Sequence, residues 1–143
     1  MVHALNEIHR TLKPNGILID LRPLEARWPV EIATTTGFVE VGRLTDLPVA
    51  IADDKAASQA MLEAESRGWF VKERELEFPF FYYWDTPSEM KEFMETEWDG
   101  FEKLENDVFE AVKSAWAVAN ADARLRIRVK LIITKWGIKV GLH

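Results

Sequence analysis

Apolar residues near the start of the chain recur at helical spacing. Leu5, Ile8 and Leu12 form one stripe, with Asn6, Glu7, His9 and Arg10 elsewhere, which predicts a helix over residues 2–12. Lys13-Pro14-Asn15-Gly16 ends it, because proline cannot continue a helix and Asn-Gly suits a tight turn. The next run, Ile17-Leu18-Ile19-Asp20-Leu21, is almost wholly apolar. It predicts a short strand covered on both faces, as in α/β sheets, closed by Arg22-Pro23. Residues 29–36 and 38–44 are rich in strand formers and meet at Gly37, so a small hairpin or meander is expected, with residues 49–52 as a third short strand.

Farther along, Asp53 or Asp54 reads as a helix N-cap, and residues 56–67 as a helix closed by Gly68. Residues 69–78 alternate as a strand does, with Val71, Glu73, Glu75 and Glu77 on one face. Phe78 to Trp84 is nearly all aromatic around Pro79. Asp85-Thr86-Pro87-Ser88-Glu89 is a helix-start signal. Apolar positions from Met90 to Trp116 then predict one broken helix or two, with the break at Gly100, followed by a loop at residues 120–122. Leu125, Ile127, Val129, Leu131 and Ile133 alternate with Arg126, Arg128 and Lys130, the clearest strand in the chain.

Composition narrows the classes. The chain has 143 residues, 48% hydrophobic and 29% charged, a globular balance that fits one domain over 1–143. No cysteine is present, which removes disulfides, zinc ribbons and thiol nucleophiles. The net charge of −6 argues against nucleic acid as a partner. No apolar run is long enough to span a membrane, and the first ten residues lack a signal peptide's apolar core. The expected compartment is the cytoplasm.

One segment carries more than fold class. Ala4-Leu5-x-Glu7-Ile8-x-Arg10-x-Leu12-Lys13-Pro14-Asn15-Gly16-Ile17-Leu18-Ile19-Asp20 resembles the helix, turn and strand of class I S-adenosylmethionine-dependent methyltransferases. In that family a segment of the form L-x-E-x-x-R-x-L-K-P-G-G leads into the fifth strand, and Asn15 here replaces its first glycine. Phe81-Tyr82-Tyr83-Trp84-x-Thr86-Pro87-x-Glu89-Met90 is similar to the family's region between its last two strands, and the final strand to its closing strand. The resemblance implies the carboxy-terminal half of a Rossmann-like fold. The family holds its cofactor with a glycine-rich turn, and this chain has no G-x-G-x-G. The resemblance therefore implies no cofactor in the isolated chain, with S-adenosylmethionine bound only if an amino-terminal half is supplied.

Candidate site residues fall in two places. Asp20 and Arg22 stand at the carboxyl end of a strand, where open α/β sheets bind ligands and where the resembling family meets its substrate. The plainer role is an ion pair of Arg22 with Asp20 or Glu25. Tyr82, Tyr83 and Trp84 would line an aromatic pocket for a small molecule, or simply pack a core. Glu73, Glu75 and Glu77 are expected to pair across strands with Arg126, Arg128 and Lys130. Ten acids between Asp85 and Glu110 read as a solvated helix face. His3, His9 and His143 show no ligand spacing, and no metal site is expected.

The expectation is thus an α/β or α+β fold: a mixed sheet of three or more strands with packed helices, one edge and one apolar face left uncovered. A homodimer would cover them. Three functions stand open: a methyltransferase-like protein inactive alone, a small-ligand-binding or dimerisation module, and a piece of a complete methyltransferase.

Overall fold

The computed structural model describes residues 1–138. Gly141 and His143 lie outside the described residues. The elements in chain order are α1 (Val2–Thr11), β1 (Ile17–Pro23), β2 (Pro29–Thr34), β3 (Gly37–Arg43), β4 (Thr45–Asp46) and α2 (Pro48–Ser66). They continue with β5 (Phe70–Trp84), α3 (Pro87–Glu97), β6 (Glu102–Lys103), α4 (Asn106–Ala117) and β7 (Arg124–Ile138). The residues group into two compact units, the first made of Met1–Leu24, Ala52–Phe78 and the chain from Leu131, the second of Glu25–Ile51 and Pro79–Lys130.

In the first unit, α1 ends where Pro14 forbids another turn, and the Gly16 N–H donates to the Lys13 carbonyl at 2.8 Å. β1 then pairs antiparallel with β7, from Ile17 opposite Gly137 to Pro23 opposite Leu131, and β5 also pairs with β7. Leu18 packs with Leu5, Ala60, Met61, Phe70 and Trp136 in a core roofed by α1 and α2. Full burial of a side chain such as Phe70 is worth about 1.5–3 kcal/mol. The helix α2 closes on Gly68 at φ +77°, with the Trp69 N–H reaching the Ala64 carbonyl at 3.0 Å, a left-handed cap that glycine adopts without strain.

The expected two-sided burial of β1 is corrected. Both helices cover the Leu18 face, while Ile17, Ile19 and Leu21 are 48%, 50% and 55% exposed. A continuous apolar run here marks a strand with one bare face, not a strand in the middle of a sandwich of helices.

In the second unit, β2 and β3 form the expected hairpin around Thr35-Thr36. β2 also pairs antiparallel with β7, Val30 opposite Ile127 and Glu31 opposite Arg126. The hairpin register shifts at Val30 and Glu31, where Val41 of β3 is the extra residue, and successive residues of β2 are buried. Thr86 caps α3 by accepting the Glu89 N–H at 3.2 Å, and Glu89 reaches back to the Asp85 N–H at 3.2 Å. Two helices, α3 and α4, flank Gly100, which has φ +81°. α4 lies so close to β3 that a Cβ at Gly42 would meet Val108 Cγ1 at 2.8 Å.

Two further expectations are corrected. Residues 49–52 are helix rather than strand, because Pro48 supplies the fixed φ of a first helical position and starts α2 early. The resolved pairings of β1, β2, β3 and β7 are antiparallel, where a mixed sheet was expected. What stands is an α/β fold with a multistranded antiparallel sheet and, among the described residues, four helices. No helix among the described residues is long and apolar enough to cross a membrane.

Candidate functional site

The predicted site residues divide between the units. Asp20 and Arg22 belong to the first, Tyr82, Tyr83 and Trp84 to the second. Arg22 reaches Asp20 through Nε at 3.4 Å, and through Nη1 it meets Asp54 Oδ1 at 3.2 Å and Ser58 Oγ at 3.0 Å. The guanidinium is thus engaged by α2, which ties β1 to its roofing helix. In the same unit, Glu75 accepts from Thr134 at 3.1 Å and meets Lys72 at 3.1 Å. The Lys72 bond, helped by Thr134, holds the Glu75 carboxyl below its ordinary range.

Tyr82 and Trp84 share one side of β5, stacked at 6.2 Å. Trp98 meets Tyr82 at 5.1 Å, Phe93 at 5.4 Å and Trp28 at 5.4 Å, mostly edge to face. These rings fill one another's faces. Tyr83 points the other way, its ring 5.0 Å from the Arg124 guanidinium and its hydroxyl accepting from Arg126 Nη1 at 3.4 Å.

That side of the second unit holds an arrangement the sequence did not show. Glu31 is 2% exposed and accepts from Arg126 Nε at 2.6 Å and Arg128 Nε at 3.1 Å. Both guanidinia stack on Phe38 and Phe81 at 4.4–4.9 Å. Glu31 stands directly opposite Arg126 in the β2–β7 ladder, and the alternation of β7 brings Arg128 to the same side. The expected pairing of these arginines with Glu73 and Glu75 is therefore corrected: Glu73 pairs with Lys135 at 3.1 Å instead.

A second cluster was also missed. Glu25, Asp46 and Glu102 bring carboxylate oxygens within 4.8 Å of one another. The ladder of β4 and β6 sets Asp46 directly opposite Glu102. Asp46 Oδ2 accepts the backbone N–H of Arg27 at 3.2 Å, and Arg27 itself sits at φ +49°, a conformation costly for a residue with a Cβ. Glu102 is 5% exposed, and neither of its oxygens has a donor. Burial first, and then the Glu25 and Asp46 carboxylates, push its pKa up to about 10. When Glu102 carries a proton, those carboxylates are the acceptors within reach. The charge run that reads as a solvated face hid this residue; the one cue was Phe101-Glu102 directly after a turn glycine.

No family model matches the sequence, and neither a curated protein nor a solved structure matches it.

Proposed function

We propose that this chain is a methyltransferase-like module, built like the carboxy-terminal half of a class I S-adenosylmethionine-dependent methyltransferase, that transfers no methyl group by itself. Support begins with the seventeen residues from Ala4 to Asp20, whose order of helix, Lys-Pro-Asn-Gly turn and strand is the family's. One observation carries the reading further. β1, the strand that this turn launches, ends its sheet with β7 as its neighbour, and Ile17, Ile19 and Leu21 lie bare on one face. A strand edge with an apolar face seeks another strand and a cover. An amino-terminal half would supply both.

The chain's own residues do not fit the cofactor. Close approach of a backbone to such a ligand needs glycine in a strand-to-helix turn. The three such turns among the described residues hold Leu47, Asp85-Thr86 and Leu104-Glu105, with no glycine. Gly42 and Gly137 are closed off by Val108 and Glu73. No methyl-transfer step is therefore assigned to this chain.

Calorimetric titration with S-adenosylmethionine tests the reading. No binding heat is expected from the isolated chain, and micromolar binding overturns it. A second reading, a homodimer, is favoured by the same bare edge and face. Light scattering at micromolar concentration reads it directly: a dimer mass supports it, and a clean monomer removes it.

A further inference from the structure

The geometry points to a binding site for a hard divalent cation of calcium size, held by Glu25, Asp46 and Glu102 in the second unit. The first ground is distance. Three oxygens mutually within 4.8 Å always share a point within about 2.8 Å of each, the span divided by √3. Calcium takes oxygen ligands at about 2.3–2.6 Å, so a few tenths of an ångström close the site. Magnesium needs about 2.0–2.1 Å in a strict octahedron, a closer and more rigid approach than calcium asks of carboxylates from three separate segments.

The second ground is independent of the clustering. Glu102 is more than nine-tenths buried, one of its oxygens faces the other two carboxylates, and neither oxygen has a donor. A buried polar side chain left without a partner is costly, and an ion that accepts its lone pairs removes that cost. The third ground is the ladder. β4 and β6 pair through two residues each, and one of those two pairs sets like charges face to face. Facing carboxylates weaken a strand pair, so this ladder favours an ion or a proton between them.

Donor chemistry selects the ion. All three ligands are carboxylates, the set suited to calcium, magnesium or manganese rather than zinc or copper. Three negative charges outweigh a dication, and waters would complete its shell of six to eight oxygens. Glu102 also lines an open cavity of about 310 Å³ with Leu47, Met94, Asp99 and Gly100.

The test uses the whole chain, stripped of metal with a chelator, and terbium as the probe. The Trp98 carbonyl accepts the Glu102 N–H at 3.1 Å, so a tryptophan is joined through its backbone to a ligand residue and serves as the donor that sensitises terbium emission. Tryptophan-excited emission is expected to saturate at one ion per chain and to be displaced by calcium. Calcium alone is expected to raise the melting temperature. Losing even an outer hydrogen bond to a metal ligand costs about 10–100-fold in affinity, so Glu102→Gln should weaken calcium binding at least as much. Asp46→Asn is the second variant and decides the matter if the first fails to fold by circular dichroism. Absence of calcium-displaceable emission, or unchanged calcium affinity in a folded variant, overturns the site and leaves a cluster held by a proton.

Discussion

Glu31 and Glu102 are buried in the same unit, at 2% and 5% exposure, and the chain surrounds them in opposite ways. Glu31 receives two guanidinium groups, and those are themselves sandwiched by Phe38 and Phe81. Glu102 receives two more carboxylates and no donor. Both are buried acids on short strand segments. The difference lies in what stands across the ladder: Arg126 opposite Glu31, Asp46 opposite Glu102. A buried charge neutralised by its own chain is a structural device, whereas one left facing like charges has room for something from outside.

The largest expected effect follows from removing each acid in turn. Glu31→Gln leaves two arginines adjacent, with no carboxylate between them. Removing one partner of a buried ion pair costs about 3–5 kcal/mol, and the partial exposure of Arg128 puts this case near about 3 kcal/mol. Glu102→Gln keeps the shape and deletes an acid that the fold does not neutralise. Its cost in metal-free protein is expected to stay within about 1 kcal/mol. Urea denaturation of both variants measures the contrast. Equal losses would erase the distinction between the two acids.

A smaller effect sharpens what holds the arginines. Phe81 lies 4.4 Å from the Arg126 guanidinium and 4.9 Å from that of Arg128. Phe81→Leu keeps most of the apolar area and loses the ring faces, an expected cost of about 1 kcal/mol. In an Arg128→Gln background the same substitution should cost less, since one of the two stacks is already gone. Additive losses in that double-mutant cycle would mean that the rings only exclude water.

Local signals in the sequence located most elements, and their failures have identifiable causes. The stripe of Leu5, Ile8 and Leu12, the Thr86-Pro87-Glu89 cap and the alternation from Leu125 each act within a few residues, so each is legible. The faces of β1 were misread because a short apolar run does not say whether one face or two will be covered; that depends on α1 and α2 packing together on Leu18. Residues 49–52 were misread because their β-branched pattern is local, while Pro48 sets the outcome from outside it. The clusters were the least legible. Glu31 meets Arg126 and Arg128 across some 95 positions, and Glu25 meets Asp46 and Glu102 across three separate segments. Nothing in spacing along the chain announces such meetings.

A third carboxylate completes the contrast at the exposed end of the scale. Asp122 lies in the turn before β7 and accepts the Thr35 backbone N–H at 3.0 Å and the Thr35 hydroxyl at 2.9 Å. Those bonds, the backbone one foremost, hold its pKa below the ordinary 3.8. A depressed folded pKa means that the unfolded chain binds the proton more readily. The contribution to stability is therefore present above pH 3.8 and is lost as pH falls through the lower folded value. Full exposure keeps it the smallest of the effects considered. The Thr35 amide resonance is expected to shift with the Asp122 midpoint, below that of an unbonded aspartate, and Asp122→Asn should flatten that curve. A midpoint at or above the ordinary value would show that two donors from a hairpin loop do not hold a fully solvated carboxylate. Donor bonds would then matter only for acids as buried as Glu31.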